Sequence, residues 1–165
     1  MKIIQDSREK IPFNLSFYGF DIERRKLDCG DYSVVGYENF ISIDRKKSVS
    51  ELASNLFEDY VRFKKEMIRA KEITHFFLLF EFDLSSVLIY PNGSGIPRRK
   101  WPYLAATPRK ILERLKLLYE AYNVKSIFCK NRADAEQKAA NILQLVISGG
   151  NLDEIEFFLP EIKSE

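Results

Sequence analysis

The segment His75-Phe76-Phe77-Leu78-Leu79-Phe80-Glu81-Phe82 is apolar at almost every consecutive position. A strand sends successive side chains to opposite faces, so a run of this kind needs cover on both sides. Thr74–Phe82 therefore predicts a central strand in a sheet sandwiched by helices. The run falls far short of the roughly 18 residues that a membrane helix requires, and no membrane partner is expected. A chain of 165 residues with 45% hydrophobic and 30% charged residues fits one globular domain and excludes a disordered one. No signal-peptide pattern opens the sequence. Cys29 and Cys129 lack metal-site spacing and read as reduced thiols of an intracellular protein, or as a single disulfide.

The rest of the chain supplies the neighbours of that strand, with no internal repeat. Lys2–Gln5 reads as a short strand ending at Asp6. Beyond Pro12, the residues Phe13, Leu15, Phe17 and Tyr18 suggest a short helix or packed turn. Asp21–Leu27 alternates as a strand, and Tyr32–Val35 with Phe40–Asp44 forms a hairpin around Gly36-Tyr37-Glu38-Asn39. Ser48 with Glu51 is a capping box opening a helix predicted to run to about Lys71, with Leu52, Leu56, Tyr60, Phe63 and Met67 at helical spacing. Pro91–Ala106 is a loop. Thr107-Pro108 starts a helix to about Tyr122, Val124–Phe128 is a strand, and Ala133–Ile147 is a helix ended by Gly149-Gly150.

Chemistry concentrates on the hairpin. Ile41 and Ile43 share one face of its second arm, while Asp44 and Lys46 share the other. Asp31 starts the first arm, and cross-strand neighbours lie within several ångströms. Two hard carboxylates can hold a magnesium ion that keeps its waters and contacts a phosphate, and manganese suits the same oxygen ligands. A lysine beside them can stabilise developing negative charge. An acid followed by Asp-x-Lys resembles the PD-(D/E)XK nuclease pattern. Alone it is weak, and a solvated strand end leading into a helix accounts for it better.

The surrounding motifs discriminate. Asp6-Ser7-Arg8-Glu9 follows the first strand, Gly30-Asp31-Tyr32 comes next, and Asp44-Arg45-Lys46 leads into Ser48-Val49-Ser50-Glu51-Leu52. In this order they resemble the nuclease domain of the XPF/Hef structure-specific endonucleases, which reads Asp-x-Arg-Glu, Gly-Asp, Glu-Arg-Lys and then an acid opening a helix. Phe80-Glu81-Phe82-Asp83 resembles the family's apolar strand ending in an acid. The resemblance covers residues 1–150 and leaves 151–165 as an acidic C-terminal tail. It implies an α/β, restriction-endonuclease-like fold with a central mixed β-sheet flanked by helices.

The resemblance also implies a magnesium-dependent DNA endonuclease acting on branched, flap or single-strand/duplex junctions, in DNA repair or recombination. Asp31 and Asp44 would hold the metal and Lys46 would be the catalytic lysine. Asp6 would be a further acid, with Arg8 and Glu9 organising the site or meeting a phosphate, and Arg45 structural on the opposite face. Two departures stand out: Asp44 replaces the family's Glu, and Glu51 lies one residue further from Lys46 and replaces an Asp. A register matching Arg45-Lys46-Lys47 to Glu-Arg-Lys would lose the metal site. Because inactive members exist, the alternative function is a nuclease-like DNA-binding and dimerisation subunit. At this length no tandem helix–hairpin–helix or helicase domain is expected.

Several surfaces bear on partners. Net charge is +2, but residues 153–165 hold five acids against Lys163, which leaves the tail at −4 and the rest at +6, a balance compatible with DNA and a DNA-associated location. Arg98, Arg99, Lys100 and Trp101 in the loop, and Arg62 on the long helix, are the expected DNA contacts; a surface loop with Trp101 tucked inward and a solvated helix face are the alternatives. The last helix carries Ala135, Ala139, Ala140, Ile142, Leu143, Leu145, Val146 and Ile147. Since the resembled domains dimerise, this face is expected to form a homodimer or heterodimer, or else to pack on the sheet. Ile155-Glu156-Phe157-Phe158-Leu159 partly resembles a sliding-clamp-binding peptide, with Asn151 at the Gln position; packing on the body is the alternative. His75 reads as a core or edge histidine and Cys29 as inert.

Overall fold

The computed structural model describes residues 2–161, so Lys163 and Glu165 of the acidic tail lie outside the described residues. Six strands form one mixed sheet in the order β2-β1-β3-β4-β5-β6, with β1 Lys2–Asp6, β2 Asp21–Arg25, β3 Tyr32–Val34, β4 Ile41–Lys46, β5 His75–Phe80 and β6 Val124–Phe128. β1 runs parallel to β2 and antiparallel to β3. β3 and β4 form the antiparallel hairpin, and β5 and β6 continue parallel to β4.

The apolar run of β5 is explained by two separate cores. Phe76, Leu78 and Phe80 enter a layer built with α1 (Val49–Leu56), α2 (Tyr60–Ala70) and α4 (Pro108–Tyr122). Phe77 and Leu79 enter the opposite layer, built with Phe13, Leu15 and α5 (Arg132–Ser148). β4 alternates in the same sense. Ile41 and Ile43 join the α5 side, which leaves Ser42, Asp44 and Lys46 facing the α1–α2 side.

The single helix expected from Ser48 to Lys71 is two helices. α1 ends at Leu56 and α2 begins at Tyr60. Arg114 of α4 occupies the break: its Nη1 donates to the Leu56 carbonyl at 3.2 Å, and its guanidinium lies over the rings of Phe57 and Tyr60 at 4.8 and 4.5 Å. A cation at a helix C-terminus satisfies an orphan carbonyl and complements the dipole. The capping box is also offset. Ser48 Oγ accepts from the Glu51 amide as expected, but Glu51 Oε2 accepts from the Lys47 amide, one residue before the cap.

Pro91–Ala106 is not wholly irregular, because Arg98–Tyr103 forms a 3-10 turn; a short helix, α3 (Leu84–Leu88), precedes it. The apolar face of α5 suggested for dimerisation is occupied within the chain, with Ala135, Ala139, Ala140, Ile142, Leu143 and Val146 buried against the sheet. The tail closes the β6 edge, where the Phe158 amide donates to the Ser126 carbonyl at 2.7 Å. Phe158 packs on Phe128, and Phe157 on Tyr119. His75 is buried with its ring edge-on to Phe40. Both cysteines are free and buried, and burial raises both thiols, Cys129 to about 11. Among the described residues no helix is long and apolar enough to cross a membrane.

Candidate active site

A cleft of about 730 Å³ opens at the end of β4, with Asp31, Asp44, Lys46 and Glu66 at its floor and Glu9 at its side. Backbone geometry builds the floor. The Asp31 amide donates to the Ile43 carbonyl at 2.8 Å, and the Asp6 amide donates to the Asp31 carbonyl at 2.8 Å. Asp31 Oδ2 accepts from the Arg45 amide at 2.8 Å, which turns its carboxylate toward the end of β4. Gly30 makes this approach possible. Its φ is +84°, and a Cβ there would lie 2.1 Å from Ser42 Oγ, so only glycine fits.

Asp31 and Asp44 face one another from adjacent strands. Burial pushes the Asp31 carboxyl well above the usual carboxylate range, and the charge and hydrogen bond of Asp44 push it the same way. Like-charged carboxylates at close quarters favour a shared proton or a cation between them. Lys46 Nζ lies 3.0 Å from Asp44 Oδ2 and 5.1 Å from the Phe63 ring centroid. Burial opposes the lysine cation, but Asp44, helped by Glu66 and Glu51, outweighs it and holds Lys46 above the ordinary lysine range. The Lys46–Asp44 contact is an ion pair and not an aligned hydrogen bond, since Asp44 Oδ2 is buried with no hydrogen-bond partner among the described residues.

A buried carboxylate oxygen met by an ion pair but by no aligned hydrogen bond, beside a second carboxylate, fits a hard divalent cation. Magnesium is commonly held by one or two carboxylates and keeps several waters. A closed structural cage does not fit, because among the described residues no group of three or more His, Cys, Asp or Glu could hold a metal.

The other expected site residues divide. Arg45 leaves the floor for the opposite face, as expected. Its side chain is 1% exposed and pairs with Glu81 at 3.0 Å and Glu9 at 3.1 Å, with its guanidinium 4.2 Å from the Phe13 ring centroid. Glu9 thereby links the cleft to the core. Asp6 is not a lining residue of the cleft. Its carboxylate accepts from Arg8 Nε and Nη2 and from the Leu27 amide. Burial works against its ionised form, but these donors prevail and hold it below the usual range. Arg8 in turn reaches the Leu27 carbonyl at 3.0 Å and, being largely exposed, forms part of the rim.

Arg62 is at the rim as expected, joined by Lys10, Lys47 and Arg69. A negative floor inside a cationic rim suits a phosphodiester. Arg98, Arg99 and Lys100 are exposed but lie outside the cleft lining; their loop packs on the helical core through Ile96 and Leu104. Trp101 is partly buried, with its indole N–H donating to the Ile96 carbonyl at 2.8 Å, so it anchors the loop. Tyr103, 87% exposed, is the free ring there.

Sequence reasoning missed Glu66. It stands on α2 between Arg62 and Arg69, at i+4 and i−3, so all three share a helix face. Reading the Arg62 side of the helix as a DNA contact or a solvated face obscured it. Burial and the charge of Asp44 shift its carboxyl upward.

Comparison with known proteins agrees with this architecture. XPF from Aeropyrum pernix aligns over 89% of this chain and 65% of its own, at 19% identity and a TM-score of 0.66. The same protein in complex with DNA aligns over 93% of this chain and 69% of its own, at 19% identity and a TM-score of 0.63. No curated protein sequence matches significantly. The chain thus spans about two thirds of these solved structures and shares their mixed α/β fold. The ERCC4 domain matches residues 5–142, most of the sequence, and the chain belongs to the ERCC4 domain family.

Proposed function

We propose that the chain is a divalent-metal-dependent DNA endonuclease, acting at branched, flap or single-strand/duplex junctions in repair or recombination. The observation that carries this is the convergence of Asp31, Asp44 and Lys46 on one floor, with Asp44 Oδ2 buried and ion-paired to Lys46 at 3.0 Å. Asp31 and Asp44 would hold magnesium or manganese. When bound, the cation supplies Lewis-acid neutralisation of the phosphate and a more acidic water.

The chain's own groups do the rest. Lys46, kept charged by Asp44, faces the position where negative charge develops on the scissile phosphate. Glu9 and Arg45 hold the β3–β4 end rigid, and Arg8 with Arg62 offers cations to the flanking phosphates. The capture of a similar fold with DNA supports nucleic acid as the substrate. The experiment is cleavage of labelled flap, fork, four-way-junction, single-stranded and duplex DNA with magnesium, manganese or chelator. Metal-dependent cutting that Asp44→Asn abolishes is expected. Junction binding without cutting in any metal would overturn catalysis and leave a DNA-binding subunit.

A further inference from the structure

We infer that Glu66 is a third acidic component of the cation site, a positioning residue that acts on the hydrated ion through water and not by direct ligation. The inference rests on the nuclease reading above and extends it to a residue on another element. Three observations carry it. Glu66 lines the same cleft floor as Asp31 and Asp44 although it comes from α2. Its Oε1 lies 3.4 Å from the Gly30 amide, and the Cys29 thiol donates to its backbone carbonyl at 3.4 Å. α2 is thus tied at two points to the turn that presents Asp31.

The third observation is Asp44 Oδ2, which is buried and has no hydrogen-bond partner among the described residues. Charge makes the set incomplete. The floor holds Asp31, Asp44 and Glu66 against one buried ammonium, Lys46. Arg8 is committed to Asp6, and Arg69 Nε donates to the Asp28 carbonyl at 3.2 Å. A hydrated divalent cation would relieve the crowding of these three acids. Among the described residues no group of three such side chains could hold a metal directly, so the role inferred for Glu66 runs through a bound water. Outer-shell carboxylates of this kind orient bound water and tune affinity, and their loss typically weakens metal binding ~10–100-fold.

The test uses manganese alone as the probe, by calorimetry and by the electron paramagnetic resonance of the free ion. The parent is compared with Glu66→Gln, Glu66→Asp and Asp44→Asn. Glu66→Gln keeps an acceptor for Gly30 and removes only the charge. It is expected to weaken manganese binding about tenfold while the metal-free thermal midpoint is held or raised; Glu66→Asp should restore part of the affinity. If Glu66→Gln binds manganese as the parent does while Asp44→Asn does not, the inference fails and the nuclease reading stands. If the parent itself binds no manganese, both fail together.

Discussion

Lys46 Nζ sits 3.0 Å from Asp44 Oδ2, two residues along the same strand face, and both side chains are less than 10% exposed. A buried ion pair of this kind is costly to break from either side. Lys46→Ala should lower cleavage about 100- to 1,000-fold, the usual loss for one preorganised charge donor. It should also lower the metal-free midpoint, because Asp44 would then face Asp31 without its cation. Single-turnover rates and thermal denaturation of the same protein check both halves. Retained cleavage would remove Lys46 from the reaction.

Asp31 and Asp44 repel, so Asp31→Asn should separate stability from activity. Without metal, the variant is expected to melt higher than the parent, by about 2–4 °C for each kcal/mol of repulsion relieved. With saturating manganese the order should reverse, since only the parent gains ligand stabilisation. Thermal scans with and without the ion read this directly, and cleavage should be absent in the variant. A lower metal-free midpoint in Asp31→Asn would show that the two carboxylates are not in conflict.

The floor of this site was legible because it obeys strand arithmetic. Asp44, Arg45 and Lys46 alternate on β4, so their faces follow from spacing alone, and the neighbouring motifs in order pointed to the family. Glu66 was not legible, because its approach depends on α2 crossing the end of β4 after a break that Arg114, 58 residues beyond Leu56, occupies. No local pattern encodes that contact. For Asp6 the resemblance implied a further acid at the site, and only the fold shows Arg8 and the Leu27 amide holding its carboxylate. The apolar strip of α5 is equally ambiguous in sequence, since packing on a sheet and packing on a partner select the same residues.

Arg45 braces one side of the cleft through buried ion pairs. Its guanidinium is held by Glu81 and Glu9 and by the Ile11 carbonyl. Arg45→Met would leave Glu81 buried with Arg132 at 3.5 Å as its remaining cation, and should cost about 3–5 kcal/mol. Arg45→Lys should recover only part of this, because a lysine cannot reproduce the fork that meets both Glu81 oxygens. Urea denaturation of the two variants measures the difference. Equal stability of the two would mean that charge alone, without the fork geometry, holds this corner.

Asp6 gives the chain an acid-sensitive element. Its carboxyl is held below the unfolded value by Arg8 and Leu27, so its contribution is fully present above the unfolded carboxylate pKa, about 3.9, and is lost as pH falls through the lower folded value. Asp6→Asn should therefore be less stable than the parent at neutral pH, by about 1–3 kcal/mol. The two stability curves should begin to converge as pH falls below about 4 and close fully only below the lower folded value. Urea midpoints taken from pH 7 down to pH 3 test this. A constant gap across that range would assign the loss to packing and not to the charge.

Two rings of the loop containing Arg98–Tyr103 divide between anchoring and exposure. Trp101 is fixed through its N–H to the Ile96 carbonyl and lies under Arg98 at 5.4 Å, whereas the Tyr103 ring is in solvent. Tyr103→Ala should weaken single-stranded DNA binding by about 1–3 kcal/mol, the usual worth of one stacked base, and leave the thermal midpoint unchanged. Trp101→Ala should instead loosen the loop and lower the midpoint. Replacing Arg98, Arg99 and Lys100 together by alanine should flatten the salt dependence of duplex binding by about 0.9 for each phosphate that is no longer neutralised, with little effect on stability because all three are exposed. Fluorescence anisotropy across a salt series reads each slope. An unchanged slope in the triple variant would move the duplex path away from this loop and onto the Arg8–Arg62 rim.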